Sequence, residues 1–279
     1  MISITDDVGR EVRLRFAARR VISLVPSLTE TIFALGRGNV IVAATRYCTE
    51  PRAGVHRLER VGGTKNPDVP RICALNPDLV IASAEENRKE DFDALTRAGV
   101  TVFVAFPLRA GAVAELVRRL GALLGAPLAA ETLAREQEEA LRQAKQRRAK
   151  RLARVFCAIW KDPWMSFNRD TYAHDMLSCV GARNVCAARD ERYFAVTLAD
   201  IAATAPEIIL LPNEPYRFGP GVLSDLGPLC ATPAWQANRI HLIDGRALFW
   251  YGARTAAGLR VLRSVVTTPN RNARGDDAV

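Results

Sequence analysis

The chain has 279 residues, 49% of them apolar, and a formal net charge of +9. That is enough apolar side chain for one large or two ordinary α/β cores, and no run nears the ~18 uninterrupted apolar residues of a membrane span. The six cysteines (Cys48, Cys73, Cys157, Cys179, Cys186, Cys230) form no Cys-x-x-Cys pair, and His56, His174 and His241 show no metal-binding spacing, so a zinc knuckle, a dithiol centre and a protein-only metal site all lack support.

The first informative stretch is Arg20–Gly36, where a short apolar run, Val21–Val25, passes through Pro26 into a helical pattern. Ser27 and Glu30 have the spacing of a capping box, which predicts a strand handed directly to a capped helix. Further strands are expected near Ile41–Ala44, Leu79–Ala82 and Val100–Ala105, with helices near Leu28–Leu35, Asp68–Leu75 and Glu90–Ala98. From Ala110 to Arg154 the composition is helix-forming, broken at Gly125-Ala-Pro127, and reads as a stiff connector rather than a flexible linker. Beyond it, strands are expected near Val155–Trp160, Ile208–Leu211 and Ile240–Ile243.

Two long-range similarities divide this pattern into halves. Ile72–Ile81 matches Ile201–Leu210 position by position, each a helix end, a Pro-acid turn and a continuous apolar strand. Arg20-Val-Ile-Ser-Leu likewise matches Arg154-Val-Phe-Cys-Ala. The expected fold is α/β, with two Rossmann-like lobes of mostly parallel sheet joined by a long helical backbone. Residues 1–109 form the first lobe, 110–153 the connector, 154–268 the second lobe and 269–279 a frayed tail. The basic run Arg142, Lys145, Arg147, Arg148, Lys150, Arg151 and Arg154 has no interleaved aromatics and reads as a solvated helix end, not a nucleic-acid surface.

Several motifs together resemble the class III periplasmic solute-binding proteins, or helical-backbone metal receptors, most closely their cobalamin-binding branch. They are Arg20–Thr31, Tyr47-Cys-Thr-Glu-Pro51, Val61–Asp68 leading into Ala74–Ile81, Asp200–Glu207 and Trp250-Tyr-Gly-Ala-Arg254. The resemblance implies a non-enzymatic, monomeric binding protein without a built-in cofactor. It would hold a metal chelate, a corrinoid first and a haem or ferric siderophore as alternatives, in a cleft between its lobes. The candidate contacts are Tyr47, Thr64, Lys65, Trp164, Tyr193, Phe194, Trp250, Tyr251 and Arg246, with Arg254 as a further cation. Aromatics at strand ends commonly pack into cores; Tyr47 and Trp164 are assigned to the cleft because their motif positions match. His174 and His241 are read as structural.

Importer-coupled members of the family dock on an ABC permease through one surface glutamate per lobe. Here those positions carry Pro70 and Ala199, with Asp68 and Asp200 nearby, which argues against permease docking. Met1–Arg10 also lacks the basic-then-apolar order of a secretory leader. The sequence as written therefore reads as cytoplasmic, and as periplasmic if translation starts upstream. A cytoplasmic corrinoid- or metal-cofactor-handling protein without a permease is the alternative function.

Overall fold

A computed structural model describes residues 1–148 and 151–267. The tail expected to fray, 269–279, and Lys150 of the basic run lie outside the described residues. The chain divides into two compact units. Unit 1 comprises Met1–Pro107, Gly111–Glu138 and Tyr251–Arg254; unit 2 comprises Leu108–Ala110, Glu139–Trp250 and the chain from Thr255 onward. The Trp250–Arg254 motif, assigned to the second lobe from sequence, is thus divided after Trp250.

Unit 1 runs β1 (Ile2–Thr5), β2 (Glu11–Leu14), β3 (Val21–Ser23), α1 (Pro26–Ala34), β4 (Ile41–Ala44), α2 (Arg52–Val55), β5 (Glu59–Arg60), α3 (Val69–Ala74), β6 (Leu79–Ser83), α4 (Lys89–Arg97), β7 (Val102–Ala105) and α5 (Val113–Leu124), and takes in the first part of α6 (Pro127–Gln146). Its sheet has the order β5-β4-β3-β6-β7 with every pair parallel. Strand order reverses beside β3, the switch point where doubly wound sheets open a crevice at their carboxyl ends. Ile22, Leu24, Val80, Val104, Phe92 and Leu95 fill the core on one face of this sheet.

Unit 2 runs β8 (Ala153–Cys157), β9 (Met165–Phe167), α7 (Tyr172–Cys179), β10 (Ala182–Asn184), β11 (Tyr193–Ala195), α8 (Leu198–Ala203), β12 (Ile208–Pro212), α9 (Pro233–Gln236), β13 (Ile240–Ile243), α10 (Arg246–Phe249) and α11 (Thr255–Thr267). Its main sheet is again parallel, in the order β10-β8-β12-β13, and β9 pairs with β11 in a separate antiparallel ribbon. The ribbon and β10 were not expected from sequence; their three-residue strands are too short for a periodicity to emerge.

The two internal similarities turn out to be one lock used twice. In unit 1, Asn76 takes a left-handed φ of 45° before Pro77, and Asp78 then accepts the backbone N–H groups of Arg19 (2.8 Å) and Arg20 (2.9 Å). Arg20 donates back to the Leu75 carbonyl at 2.7 Å. In unit 2, Ala205 takes the same φ of 45° before Pro206, and Glu207 accepts the Arg154 N–H at 2.9 Å. The Arg154 side chain returns a bond to the Ala205 carbonyl at 2.8 Å. The acid ties a helix end to the start of the neighbouring strand, and the arginine satisfies carbonyls that the helix leaves open.

Two local expectations are corrected. Ser27 and Glu30 form no capping box: α1 begins at Pro26 with Val25 as its unassisted N-cap. Proline at the first helical position lacks one of the amides a cap would satisfy, and it moves the helix start one residue ahead of Ser27. Glu30 instead pairs with Arg254 at 2.6 Å. A capping box does occur at Thr197 and Asp200, at the start of α8. The connector breaks where expected, with Gly125 as a left-handed C-cap at φ 70°, but α6 ends at Gln146 rather than running to Arg154. Part of the basic run is committed locally: Arg142 pairs with Glu139 at 2.6 Å and Arg151 with Glu207 at 2.5 Å.

Candidate functional site

In unit 1 the carboxyl ends of β3, β4 and β6 rest on a buried polar floor. Thr29 donates to Ser23 Oγ at 2.8 Å, and its oxygen lies 3.0 Å from Cys48 Sγ, which is also 3.3 Å from Thr45 Oγ1. These four residues are fully buried, and burial pushes the Cys48 thiol up, so it stays protonated as a packing group. Above the floor Tyr47 is 51% exposed, with the Arg46 guanidinium 5.1 Å from its ring centre.

The next layer is a loop interlock. Asn87, 4% exposed, accepts the Ser83 N–H at 2.8 Å and donates to the Thr64 carbonyl at 2.8 Å. Lys65 Nζ donates to the Glu85 carbonyl at 2.9 Å, and Arg88 donates to the Lys65 carbonyl. Gly62 has φ 86° and Gly63 sits against Tyr47: a Cβ on Gly63 would lie 2.5 Å from Asn66 Oδ1 and 3.2 Å from the Tyr47 ring. The glycine pair is what lets this loop approach the tyrosine.

Tyr251–Arg254 closes the same unit. Thr31 Oγ1 accepts the Ala253 N–H at 3.0 Å, and Gln137 donates to the Gly252 carbonyl at 2.8 Å. Tyr251 is 4% exposed; burial, with Glu86 nearby, holds its phenol well above the usual tyrosine range.

In unit 2 the carboxyl ends of β8 and β12 carry an aromatic ladder. Trp160, 44% exposed, meets Tyr216 edge-on at 5.3 Å; Tyr216 lies 4.7 Å from Phe218, and Phe218 stacks on Trp164 at 5.8 Å. Lys161 pairs with Asp225 at 2.5 Å. Beyond β13, Arg246 pairs with Asp244 at 2.9 Å and lies 6.0 Å from the Trp250 ring, while Trp250 Nε1 donates to Glu214 at 2.9 Å.

Residues 21–246 match the family described as Periplasmic binding protein. The chain belongs to that family. The Vitamin B12-binding protein of Yersinia pestis (strain Pestoides F) is 28% identical over 196 residues, 70% of each chain. The periplasmic Vitamin B12 binding protein BtuF of Vibrio cholerae shares the fold with a TM-score of 0.80 at 21% identity, covering 90% of this chain and 97% of its own. The periplasmic heme-binding protein RhuT from Roseiflexus sp. RS-1 also reaches 0.80, at 26% identity, covering 90% and 98%. Each is named as a binding protein.

Within this periplasmic-binding-protein fold the sequence candidates separate. Tyr47, Thr64, Lys65 and Tyr251 gather in unit 1; Trp164, Tyr193, Phe194, Trp250 and Arg246 belong to unit 2. Trp164 and Phe194 are buried, at 9% and 7% exposure, and both pack into the cluster of Phe156, Ile209, Leu211 and Phe218. Trp250 is also buried, at 8%, whereas Tyr193 is 39% exposed under Arg192. Thr64 and Lys65 spend their backbone carbonyls inside the loop interlock.

Sequence reasoning missed Asn87 and Tyr216 as site builders. Asn87 follows a predicted strand end by a few residues, which was the one available signal. His174 is half-buried beside Ser178, and burial lowers its pKa; His241 is lowered for the same reason. Among the described residues no three His, Cys, Asp or Glu side chains gather to hold a metal ion, and no helix is long and apolar enough to cross a membrane. Pro70 and Ala199 are exposed; the neighbouring Asp68 is the N-cap of α3, accepting the Arg71 N–H, and Asp200, the third residue of α8, completes its capping box by accepting the Thr197 N–H.

Proposed function

We propose that this protein is a non-enzymatic solute-binding protein whose solute is a metal chelate, a corrinoid such as cobalamin. The observation that carries the reading is a pair of exposed aromatics, each held by rigid backing at a strand's carboxyl end: Tyr47 against Gly63 and Arg46, and Trp160 against Tyr216. A chelate arrives with its metal already ligated and needs broad apolar faces with a few polar contacts. Pre-fixed rings provide such faces at low ordering cost. The B12-binding relative supports the corrinoid. Lys65 in unit 1, and Tyr193 and Arg246 in unit 2, are proposed as further polar contacts.

Haem is the second reading, favoured by the 26% identity to a heme-binding protein of the same fold. Delivery to an ABC-type uptake system follows from the resemblance. With Asp68 engaged as an N-cap, Asp200 engaged in a capping box and no carboxylate at 70 or 199, we propose solute binding without permease docking through those two positions. Titration of the purified chain with cyanocobalamin, cobinamide, haem and a ferric siderophore tests the reading. One-to-one saturable binding of a corrinoid is expected; saturation by haem alone selects the second reading, and saturation by none rejects both.

A further inference from the structure

A cavity of about 180 Å³ lies in unit 2 along the edge strand β10, and none of its lining residues belongs to the aromatic ladder or to the Arg246–Trp250 group. Arg148, His174, Ser178, Arg183 and Asn184 supply its polar lining, and among the described residues no aspartate or glutamate contributes. Arg148 and Arg183 are exposed and have no ion pair among the described residues.

The other groups are pre-arranged. Asn184, 3% exposed, donates to the Phe167 carbonyl at 3.0 Å, and its amide nitrogen lies 3.5 Å from His174 Nδ1. His174 Nε2 is in turn 3.3 Å from Ser178 Oγ. The imidazole is therefore fixed between a buried amide and a hydroxyl. Burial keeps it largely neutral, against the pull of Asp175, so it serves as a hydrogen-bonding group and the positive charge comes from the arginines.

We propose that this cavity binds a small oxyanion of the phosphate class. Guanidinium groups match oxyanion geometry with paired donors, and the serine hydroxyl adds a donor. Two full charges outweigh the partial negative charge at the nearby carboxyl end of α7. A water occupies roughly 30 Å³ of liquid volume, so the cavity holds a phosphate-sized ion with residual hydration. The ligand is either the free ion or the phosphate group of a larger molecule, and the chemistry of recognition is the same.

Calorimetric titration of the full chain with inorganic phosphate and with glycerol phosphate, at constant ionic strength against chloride, tests the assignment. One saturable site for inorganic phosphate is expected in the wild type. The Arg148→Gln/Arg183→Gln double variant should lose at least tenfold in affinity, Ser178→Ala severalfold, and the remote Arg135→Gln nothing. Glycerol phosphate competing for the same site assigns it to a phosphate group on a larger molecule; failure to compete assigns it to the free ion. Absence of saturation, or equal binding by the double variant, overturns the proposal. Cyanocobalamin titration of the same variants should be unchanged, which keeps this test separate from that of the solute site.

Discussion

The central strands of the two parallel sheets start from the same lock and finish differently. In both units a left-handed residue, a proline and an acid fix the start of a central strand to its neighbour. At the other end of those strands unit 1 builds with hydrogen bonds: Asn87 ties β6 to the Thr64 loop over a floor of Ser23, Thr29, Thr45 and Cys48. Unit 2 builds with rings, from Trp160 through Tyr216 and Phe218 to Trp164. Each scheme ends in one exposed aromatic on a fixed support. The amino ends share one lock, whereas the carboxyl ends are where the two units diverge in chemistry.

The contrast is sharpest between two tryptophans four residues apart. Trp164→Ala should cost about 3–5 kcal/mol in unfolding free energy, the range for deleting a buried aromatic. Trp160→Ala should leave stability within about 1 kcal/mol, since the residue is 44% exposed and outside the buried cluster. Chemical denaturation of both variants decides this, and equal losses would erase the distinction between core ring and exposed ring.

In unit 1 the corresponding break is Asn87→Ala. Removing a buried amide that bridges β6 and the Thr64 loop strands its partners, at a cost of about 1–3 kcal/mol. It should also weaken solute binding through displacement of the loop beside Tyr47. A variant that unfolds like the wild type would show that the interlock is not what holds this edge.

Smaller effects follow at the exposed rings. Tyr47→Ala and Trp160→Ala should each lower solute affinity about tenfold, equivalent to roughly 1.4 kcal/mol, with little change in thermal midpoint. Gly63→Ala should lower affinity in the same direction with Tyr47 itself unchanged, because its Cβ intrudes on Asn66 and the tyrosine ring. Equilibrium titration of all three variants tests whether the two edges contribute alike.

The smallest effect is electrostatic and lies away from both edges. Arg118 and Arg135 lower the Glu131 pKa to about 2, below its ordinary value of 4.5. A depressed carboxylate pKa means the unfolded chain takes up the proton first, so the stabilisation is present above about pH 4.5 and fades as pH falls toward 2. Glu131→Gln should lower the melting temperature slightly at pH 7, with the difference from wild type shrinking between pH 5 and pH 3. A constant difference across that range would contradict the assignment.

The parts legible in the sequence were those written in local patterns. The strand at Ile240–Ile243 and the break at Gly125 lie where periodicity and turn chemistry put them. The repeated Pro-acid turns announced two similar halves because each lock needs the same residues in the same order. The α1 start was misread because a Ser-x-x-Glu spacing says nothing of whether Pro26 has already begun the helix.

Site residues were harder because their roles are set by partners far away in the chain. Asn87 acts on Thr64, Thr31 on Ala253, and Gln137 on Gly252. Trp160 and Trp164 share one motif, and only the position of Phe218 and Tyr216 decides which ring is buried.

The central proposal is that an exposed, rigidly backed ring, Tyr47 in unit 1 or Trp160 in unit 2, is a surface on which the chelate rests. A crystal structure of the protein saturated with cyanocobalamin tests it most directly. The account predicts corrin or nucleotide-side atoms within van der Waals contact of at least one of these rings, with Trp164 still stacked on Phe218. A corrinoid bound elsewhere, or one touching neither ring, would contradict it.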